Sequence, residues 1–270
     1  MIAKVLTDNT ASDGLCGEWG LSIYIEYNGH KYLLDTGETD LFLQNARKLN
    51  IPIEDVAYGI LSHAHHDHSN GMPAFFEANR KAPFLLRDEA KNKCYDRSAD
   101  TPRYIGINEG ILENYRERIV YLHHDLELNP GVHLIGHHAA GLEAQGRRAS
   151  MFVLSGDEWK PDAFAHEQSL VFETDGGLVV FSSCSHAGAD TILREVIERF
   201  PGREICAMIG GLHLFIRTSE EVRALAKRMR EIGIRKIITG HCTGDAALAI
   251  LREELGDTVE TLCCGKTIEF

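Results

Sequence analysis

Between residues 63 and 68 the chain reads His63-Ala64-His65-His66-Asp67-His68, four imidazoles and a carboxylate in a row of six. Residues two apart on an extended segment point the same way, so His63 and His65 can share one cation. Asp67 and His68, on the turn that follows, can reach a second cation a few ångströms away. Imidazole with carboxylate suits Zn²⁺, Fe or Mn²⁺. His66 reads as a bystander. The competing reading is a plain solvated turn, for which so many ionisable groups directly after an apolar strand make an odd composition.

A motif this short offers two or three ligands per ion, so the others must come from far along the chain. His186 stands in Ser183-Cys184-Ser185-His186-Ala187-Gly188, His213 in Gly210-Gly211-Leu212-His213-Leu214, and His241 in Gly240-His241-Cys242-Thr243-Gly244. Each follows an apolar run, and the glycines allow tight turns and close backbone approach. His166, in His166-Glu167, is a weaker candidate. Cys184 could ligate as a thiolate or be a small buried strand-end residue. The pairs His123-His124 and His137-His138 lack glycine neighbours and read as surface or lid residues.

The elements that must position these groups are legible as runs. Apolar or alternating stretches predict strands at 2–6, 21–27, 31–34, 56–61 and 84–86, with a hairpin turn at Asn28-Gly29. Helical spacing predicts helices at 39–49, with Thr39 as cap, and at 72–80. Residues 87–118 are charged and without period, and read as short helices and loop, a lid-like insertion. Strands resume near 118–122, 131–135, 151–154, 169–173 and 178–182, the last two joined at Asp175-Gly176-Gly177. Helices at 190–199, 218–231 and 244–255 alternate with strands at 205–209 and 235–239. Strands run into histidine-bearing loops in both halves. Two face-to-face sheets with helices outside would bring such loops to one edge, so the expectation is an α/β (α+β) four-layer αββα sandwich, a single domain over 1–270.

With 28 Lys+Arg against 40 Asp+Glu the net charge is −12, which argues against a nucleic-acid or anionic-membrane partner. No apolar run is long enough to span a bilayer, and no signal peptide is visible at the N-terminus. Seven cysteines, none in a C-x-x-C pair, fit reduced thiols in a cytoplasmic protein. The Leu/Ile-rich helices leave room for a homodimer.

His63/His65/Asp67/His68, preceded by Asp35-Thr36-Gly37, resembles the metallo-β-lactamase superfamily of metal-dependent hydrolases, over essentially the whole chain. Glu18-Trp19-Gly20-Leu21-Ser22, His166-Glu167-Gln168-Ser169-Leu170 and the three glycine-flanked histidine motifs are similar to one branch of it. That branch is named after 7,8-dihydropterin-6-methyl-4-(β-D-ribofuranosyl)-aminobenzene-5′-phosphate synthase. The resemblance implies the αββα metallo-β-lactamase fold with two divalent transition-metal ions, Zn²⁺ first and Fe or Mn²⁺ as alternatives. It implies His63 and His65 on the first ion, and Asp67, His68 and His241 on the second. It makes Asp35 the group that orients the motif loop. The superfamily usually adds a histidine before a hairpin strand and a bridging aspartate at the next strand end. Here His166 lies at the former place and Cys184-Ser185-His186 replaces the latter. His186 is the expected further ligand, with His166 as alternative or addition. Trp19 stands where the branch more often carries histidine.

Two such ions ~3.5–4 Å apart would bring a shared water's pKa toward neutrality and clamp a substrate oxygen. Asp67 can hold the proton, and His213 can donate one to a leaving oxygen. Two divalent ions against a single ligand carboxylate make a positive site, which favours an anionic small molecule carrying phosphate or diphosphate. Arg103, Arg147 and Arg148 are candidate phosphate contacts, or solvated surface charges. The expected activity is hydrolysis, or displacement of diphosphate from a pterin carbon by an aromatic amine, as in the synthase proper. A non-catalytic metal-binding sensor is the reading from another class, and an intact Asp67 argues against it.

Overall fold

The computed structural model describes residues 1–270, which form two compact units. The first comprises residues 1–123, 141–167 and 263–270. Its main sheet has seven strands in the order β18 (Thr267–Glu269), β1 (Ile2–Thr7), β2 (Ser22–Tyr27), β3 (His30–Leu34), β4 (Tyr58–Ile60), β5 (Phe84–Arg87), β8 (Ile119–Leu122). The pairings from β18 to β3 are antiparallel, and those from β3 to β8 are parallel. Asn28 (φ 49°) and Gly29 (φ 77°) supply the two left-handed positions that a tight β2–β3 hairpin requires.

Helices α1 (Leu41–Lys48), α2 (His66–Ser69) and α3 (Met72–Ala78) connect these strands. Thr39 accepts the Leu41 N–H at 3.1 Å, one position ahead of the observed cap, Asp40. Phe42, Phe75, Phe76 and Phe84 lie in one apolar core with Leu6, Leu33 and Leu61. Asn45, buried on α1, donates to the carbonyls of Leu6 (2.9 Å) and Cys16 (2.8 Å). That satisfies its amide and ties the segment ahead of β2 to the helix.

The core leaves no room at Gly59, where a Cβ would lie 2.2 Å from the Phe84 ring. Gly59→Ala is therefore expected to destabilise the protein by about 1–3 kcal/mol, the usual cost of overpacking. Urea unfolding checks this, and a loss under ~0.5 kcal/mol would mean the ring yields freely.

The unit also holds a four-stranded antiparallel sheet, in the order β12 (Glu158–Pro161), β11 (Met151–Ser155), β6 (Lys93–Asp96), β7 (Arg103–Tyr104). Three expectations are corrected here. The stretch at 118–122 pairs with β5 in the first sheet and that at 151–154 with β6, so neither belongs with the second run of strands, and residues 87–118 contain strand as well as α4 (Ile111–Asn114). A short helix, α5 (Leu142–Arg148), precedes β11.

The second unit comprises residues 124–140 and 168–262. Its sheet order is β17 (Val259–Thr261), β16 (Lys236–Thr239), β15 (Ile205–Ile209), β14 (Gly177–Phe181), β13 (Gln168–Thr174), β10 (Val132–Gly136), β9 (Leu126–Asn129). The pairings from β9 to β14 are antiparallel and those from β14 to β17 parallel, the same succession as in the first unit. The connecting helices are α6 (Ala189–Arg199), α7 (Ser219–Ile232) and α8 (Asp245–Leu255). A reciprocal Thr218/Glu221 capping box starts α7, and Gly233 at φ 79° ends it. No helix is long and apolar enough to cross a membrane.

Candidate metal centre

In an open sheet with parallel strands, loops at the carboxyl ends are where ligands bind. In the first unit Asp35 follows β3 and the His63–His68 motif follows β4. In the second, Cys184 and His186 follow β14, His213 follows β15 and His241 follows β16. Eight non-glycine residues have left-handed backbone, and four of them are Asp35, Ser185, His213 and His241. Such positions cost of order 1–3 kcal/mol and persist where surroundings over-determine them, which marks these loops as built for something other than stability.

His63, His65 and His68 are buried together, with ring centroids 4.7 Å (His63–His65) and 4.2 Å (His63–His68) apart. One carboxylate organises them. Asp35, wholly buried, accepts the Ser62 N–H (2.7 Å) and Ser62 Oγ–H (2.6 Å) and pairs with His68 Nδ1 (2.8 Å). Ser62 Oγ lies 2.8 Å from His63 Nδ1. Since the Ser62 proton goes to Asp35, His63 Nδ1–H donates to that oxygen. Both rings are thereby assigned the Nδ1–H tautomer, with Nε2 lone pairs suited to a cation. Asp67 Oδ2 is 3.6 Å from His68 Nε2. Thr36 clasps the loop from behind, its N–H (2.8 Å) and Oγ–H (3.0 Å) both donating to the His68 carbonyl. His66 turns aside to hydrogen-bond the Glu38 carboxylate.

Burial pulls the His65 pKa down to about 3, with neighbouring His166 adding to the effect. His65 is therefore a neutral imidazole, the form that ligates.

His166 is buried against the same loop, its ring centroid 5.4 Å from that of His65. Its Nδ1 accepts the Ala64 N–H at 3.1 Å, and its Nε2 is 3.0 Å from Asp162 Oδ2. Donor atoms of His65, Cys94, Asp162 and His166 lie within 4.8 Å of one another. Cys94 and Asp162 were not singled out in the sequence. They come from β6 and from just beyond β12, and no local motif links them. Burial raises the Cys94 thiol, keeping it neutral. Burial opposes charge on His166, but Asp162 outweighs it and draws the pKa up. The Ala64 N–H, however, needs a lone pair at Nδ1, so a second proton there would break that bond. Asp162 in turn is held below its usual range, His166 overcoming the effect of burial. A cavity of ~330 Å³, lined by Glu89, Asn92, Glu143 and Lys160, reaches Asp162 and His166.

In the second unit the rings of His186 and His213 are 4.3 Å apart, and their donor atoms lie within 4.8 Å of Cys184 Sγ. Cys184, His241 and Cys242 form a further buried donor group of the same tightness. Cys184 and Cys242 sulfurs are 3.3 Å apart, and the His213 N–H donates to Cys242 Sγ at 3.3 Å. Burial works against ionising Cys242, yet contacts with Cys184, His241 and His213 bring its pKa well below that of an ordinary thiol. Gly211 permits this packing, because a Cβ there would meet Cys242 Sγ at 2.5 Å. The imidazole, thiol and carboxylate donors of the first unit, and the imidazole and thiol donors of the second, fit a borderline divalent ion such as Zn²⁺.

His137 corrects its surface reading: it is buried, between Glu195 (2.9 Å) and Ser169 (2.9 Å), a satisfied core histidine. His123, His124 and His138 are exposed. Arg103 is exposed and pairs with Asp96, and Arg147 and Arg148 are exposed on α5.

Comparison with known proteins bears on these loops directly. The chain is 29% identical, over 93% of its length and 90% of the other's, to the 7,8-dihydropterin-6-methyl-4-(β-D-ribofuranosyl)-aminobenzene-5′-phosphate synthase of Methanocaldococcus jannaschii. The solved structure of Tm1679, described as a metal-dependent hydrolase of the β-lactamase superfamily, is 30% identical. It aligns with a TM-score of 0.87, covering 100% of this chain and 99% of that one. Zn²⁺-bound PqqB from Methylobacterium extorquens shares the fold at 12% identity and TM-score 0.58, over the full length of both chains. The metallo-beta-lactamase superfamily model matches residues 20–241, a span that takes in Asp35, the His63–His68 motif and every strand-end histidine through His241. This chain therefore belongs to the metallo-β-lactamase superfamily, whose members generally bind divalent metal ions and whose fold it has.

Proposed function

We propose that this chain is a metal-dependent enzyme acting on an anionic small molecule that carries phosphate or diphosphate. The residues assigned as metal ligands are His63, His65, Asp67 and His68 in the first unit and His186 and His241 in the second, with Cys184 as a further candidate. The observation that carries the reading is the buried His63/His65/His68 cluster, tied to one wholly buried carboxylate, Asp35. A metal-binding histidine donates its outer ring N–H to a carboxylate or hydroxyl in this way, which leaves Nε2 for the ion. Zn²⁺ is the ion we assign, since the donors are imidazole and carboxylate with a thiol close by.

Bound there, the ions would supply Lewis-acid polarisation of a phosphoryl oxygen and make a water acidic near neutral pH. The protein's own groups do the rest. Asp35 holds His68 directly and His63 through Ser62, so the rings present fixed lone pairs. Asp67 accepts the proton of the attacking group, and His213 donates one to the leaving oxygen. The substrate class is supported by the relative from M. jannaschii, named for a pterin coupling step. That relative also favours a second reading, in which an aromatic amine displaces diphosphate from a pterin methylene carbon.

The test uses protein loaded with Zn²⁺, Mn²⁺ or Fe²⁺ and given hydroxymethyl-dihydropterin diphosphate, with and without an aromatic amine. Coupled product with the amine supports the synthase, and free hydroxymethylpterin alone supports the hydrolase. No release of phosphate or diphosphate with any ion overturns both. Asp67→Asn is expected to lower turnover about a hundredfold while leaving the circular dichroism spectrum unchanged. Undiminished activity would remove Asp67 from its role.

A further inference from the structure

The His63–His65 segment has to be held still along its backbone as well as through its side chains. Ala64, wholly buried between the two histidines, has an N–H that belongs to no strand ladder or helix. It donates instead to His166 Nδ1, 102 residues away. His166 is held by Asp162, and Asp162 by the Phe164 N–H, which donates to Oδ1 at 2.7 Å. All three side chains in this relay are buried.

We propose that His166 is not a ligand of the metal centre but the positioning residue of its motif, clamping the Ala64 backbone with Asp162 behind it. This rests on the metal-centre reading above. The geometry accounts for both ring nitrogens. Nδ1 spends its lone pair on the Ala64 N–H, and Nε2–H donates to the Asp162 carboxylate. Ligation through either nitrogen would leave one buried partner, the amide or the carboxylate, without its bond. The neighbouring donors point the same way. Asp162 is occupied by Phe164 and His166, and Cys94 touches His166 as a neutral thiol on β6. The His65/Cys94/Asp162/His166 group is thus a hydrogen-bonded relay with its protons assigned rather than a cage for a third ion.

Three measurements test this. In the metal-free wild-type protein the Ala64 amide should exchange slowly with solvent, and exchange should accelerate in His166→Ala. On titration with Zn²⁺ the ¹⁵N resonances of the His63 and His65 rings should move to the ligated range while those of His166 keep their metal-free pattern. In chelator competition, His166→Ala should bind Zn²⁺ about ten- to a hundredfold more weakly at unchanged stoichiometry. His166→Asn, which keeps an acceptor near the Nδ1 position, should recover part of that loss. The Co²⁺-substituted absorption spectrum should be the same in wild type and His166→Asn, because the ligand set is the same.

A ligated shift at His166, or loss of one ion per chain in His166→Asn, would overturn the proposal. Fast Ala64 exchange in the wild type would overturn it as well. Failure of the wild type to bind any ion would sink the metal-centre reading instead, and the Ala64 exchange measurement would still decide the clamp. If His166→Ala does not fold, the wild-type resonances and the Asn variant carry the test.

Discussion

Asp35→Ala is expected to destabilise the metal-free protein by about 3–5 kcal/mol, the range found when one partner of a buried polar network is removed. Three donors converge on this carboxylate: the Ser62 N–H, the Ser62 hydroxyl and His68 Nδ1. None has access to water, since Ser62 and His68 are as buried as Asp35 itself. Alanine leaves all three unmet at once. A second penalty comes from the backbone, because Asp35 sits at φ 58°, a conformation Asp and Asn tolerate and alanine resists. Asn at this position keeps that conformation and one acceptor, so Asp35→Asn should lose roughly half as much. Urea unfolding at pH 7.5 without metal measures both. A loss below ~1 kcal/mol in Asp35→Ala would show that the network is not what holds the loop. The functional counterpart is a ten- to hundredfold loss of Zn²⁺ affinity, of the order seen when such outer partners are removed.

The contrast between Asp35 and Asp162 shows what can be read from one dimension. Asp35 was picked out by the resemblance that Asp35-Thr36-Gly37 ahead of the histidine motif carries, and the motif follows the strand paired beside it. The strands concerned, β3 and β4, are short runs of five and three residues, so local pattern carried their position. The helix at 218–231 was legible as a run of its own, and α7 spans Ser219–Ile232. Asp162 and Cys94 offered no such signal. Their meeting depends on β6 pairing with β11, two short strands more than fifty residues apart in charged or mixed sequence. Hydrophobic periodicity does not distinguish an extended four-residue segment from a loop, and the partner of an antiparallel strand is not written in the strand. His137 failed for a related reason: whether a histidine is exposed or stands between a buried serine and a glutamate is decided by tertiary packing alone. The matching succession of antiparallel and parallel pairings in the two units was likewise hidden. It resides in hydrogen-bond direction, and the sequences of the halves carry no short-period repeat.

Acid should unfold the metal-free protein through His65, and the sign follows from where its proton goes. In the unfolded chain a histidine takes up a proton near pH 6.5, whereas burial and the neighbouring His166 hold the folded His65 down to about 3. Between those values the unfolded state binds the extra proton, so stability is full above pH 6.5 and falls as pH drops through the window. The slope for one proton is about 1.4 kcal/mol per pH unit, which gives a loss of about 3 kcal/mol by pH 4.5 and about 5 kcal/mol across the window. That is comparable to the whole stability of many domains. Asp162 acts in the same direction, since its pKa is held down in the fold and its contribution disappears as it protonates. Asp162 draws the His166 pKa up, which would act in the opposite direction, but a proton at Nδ1 costs the Ala64 bond. The His65 share is isolated by comparing wild type with His65→Gln in urea titrations from pH 7.5 to 4.5. The variant starts less stable, having lost a packed imidazole, but its stability should fall with a slope shallower by up to one proton. Parallel curves would mean that the folded protein accommodates a charged His65, and the neutral, ligation-ready state assigned to that ring would have to be abandoned.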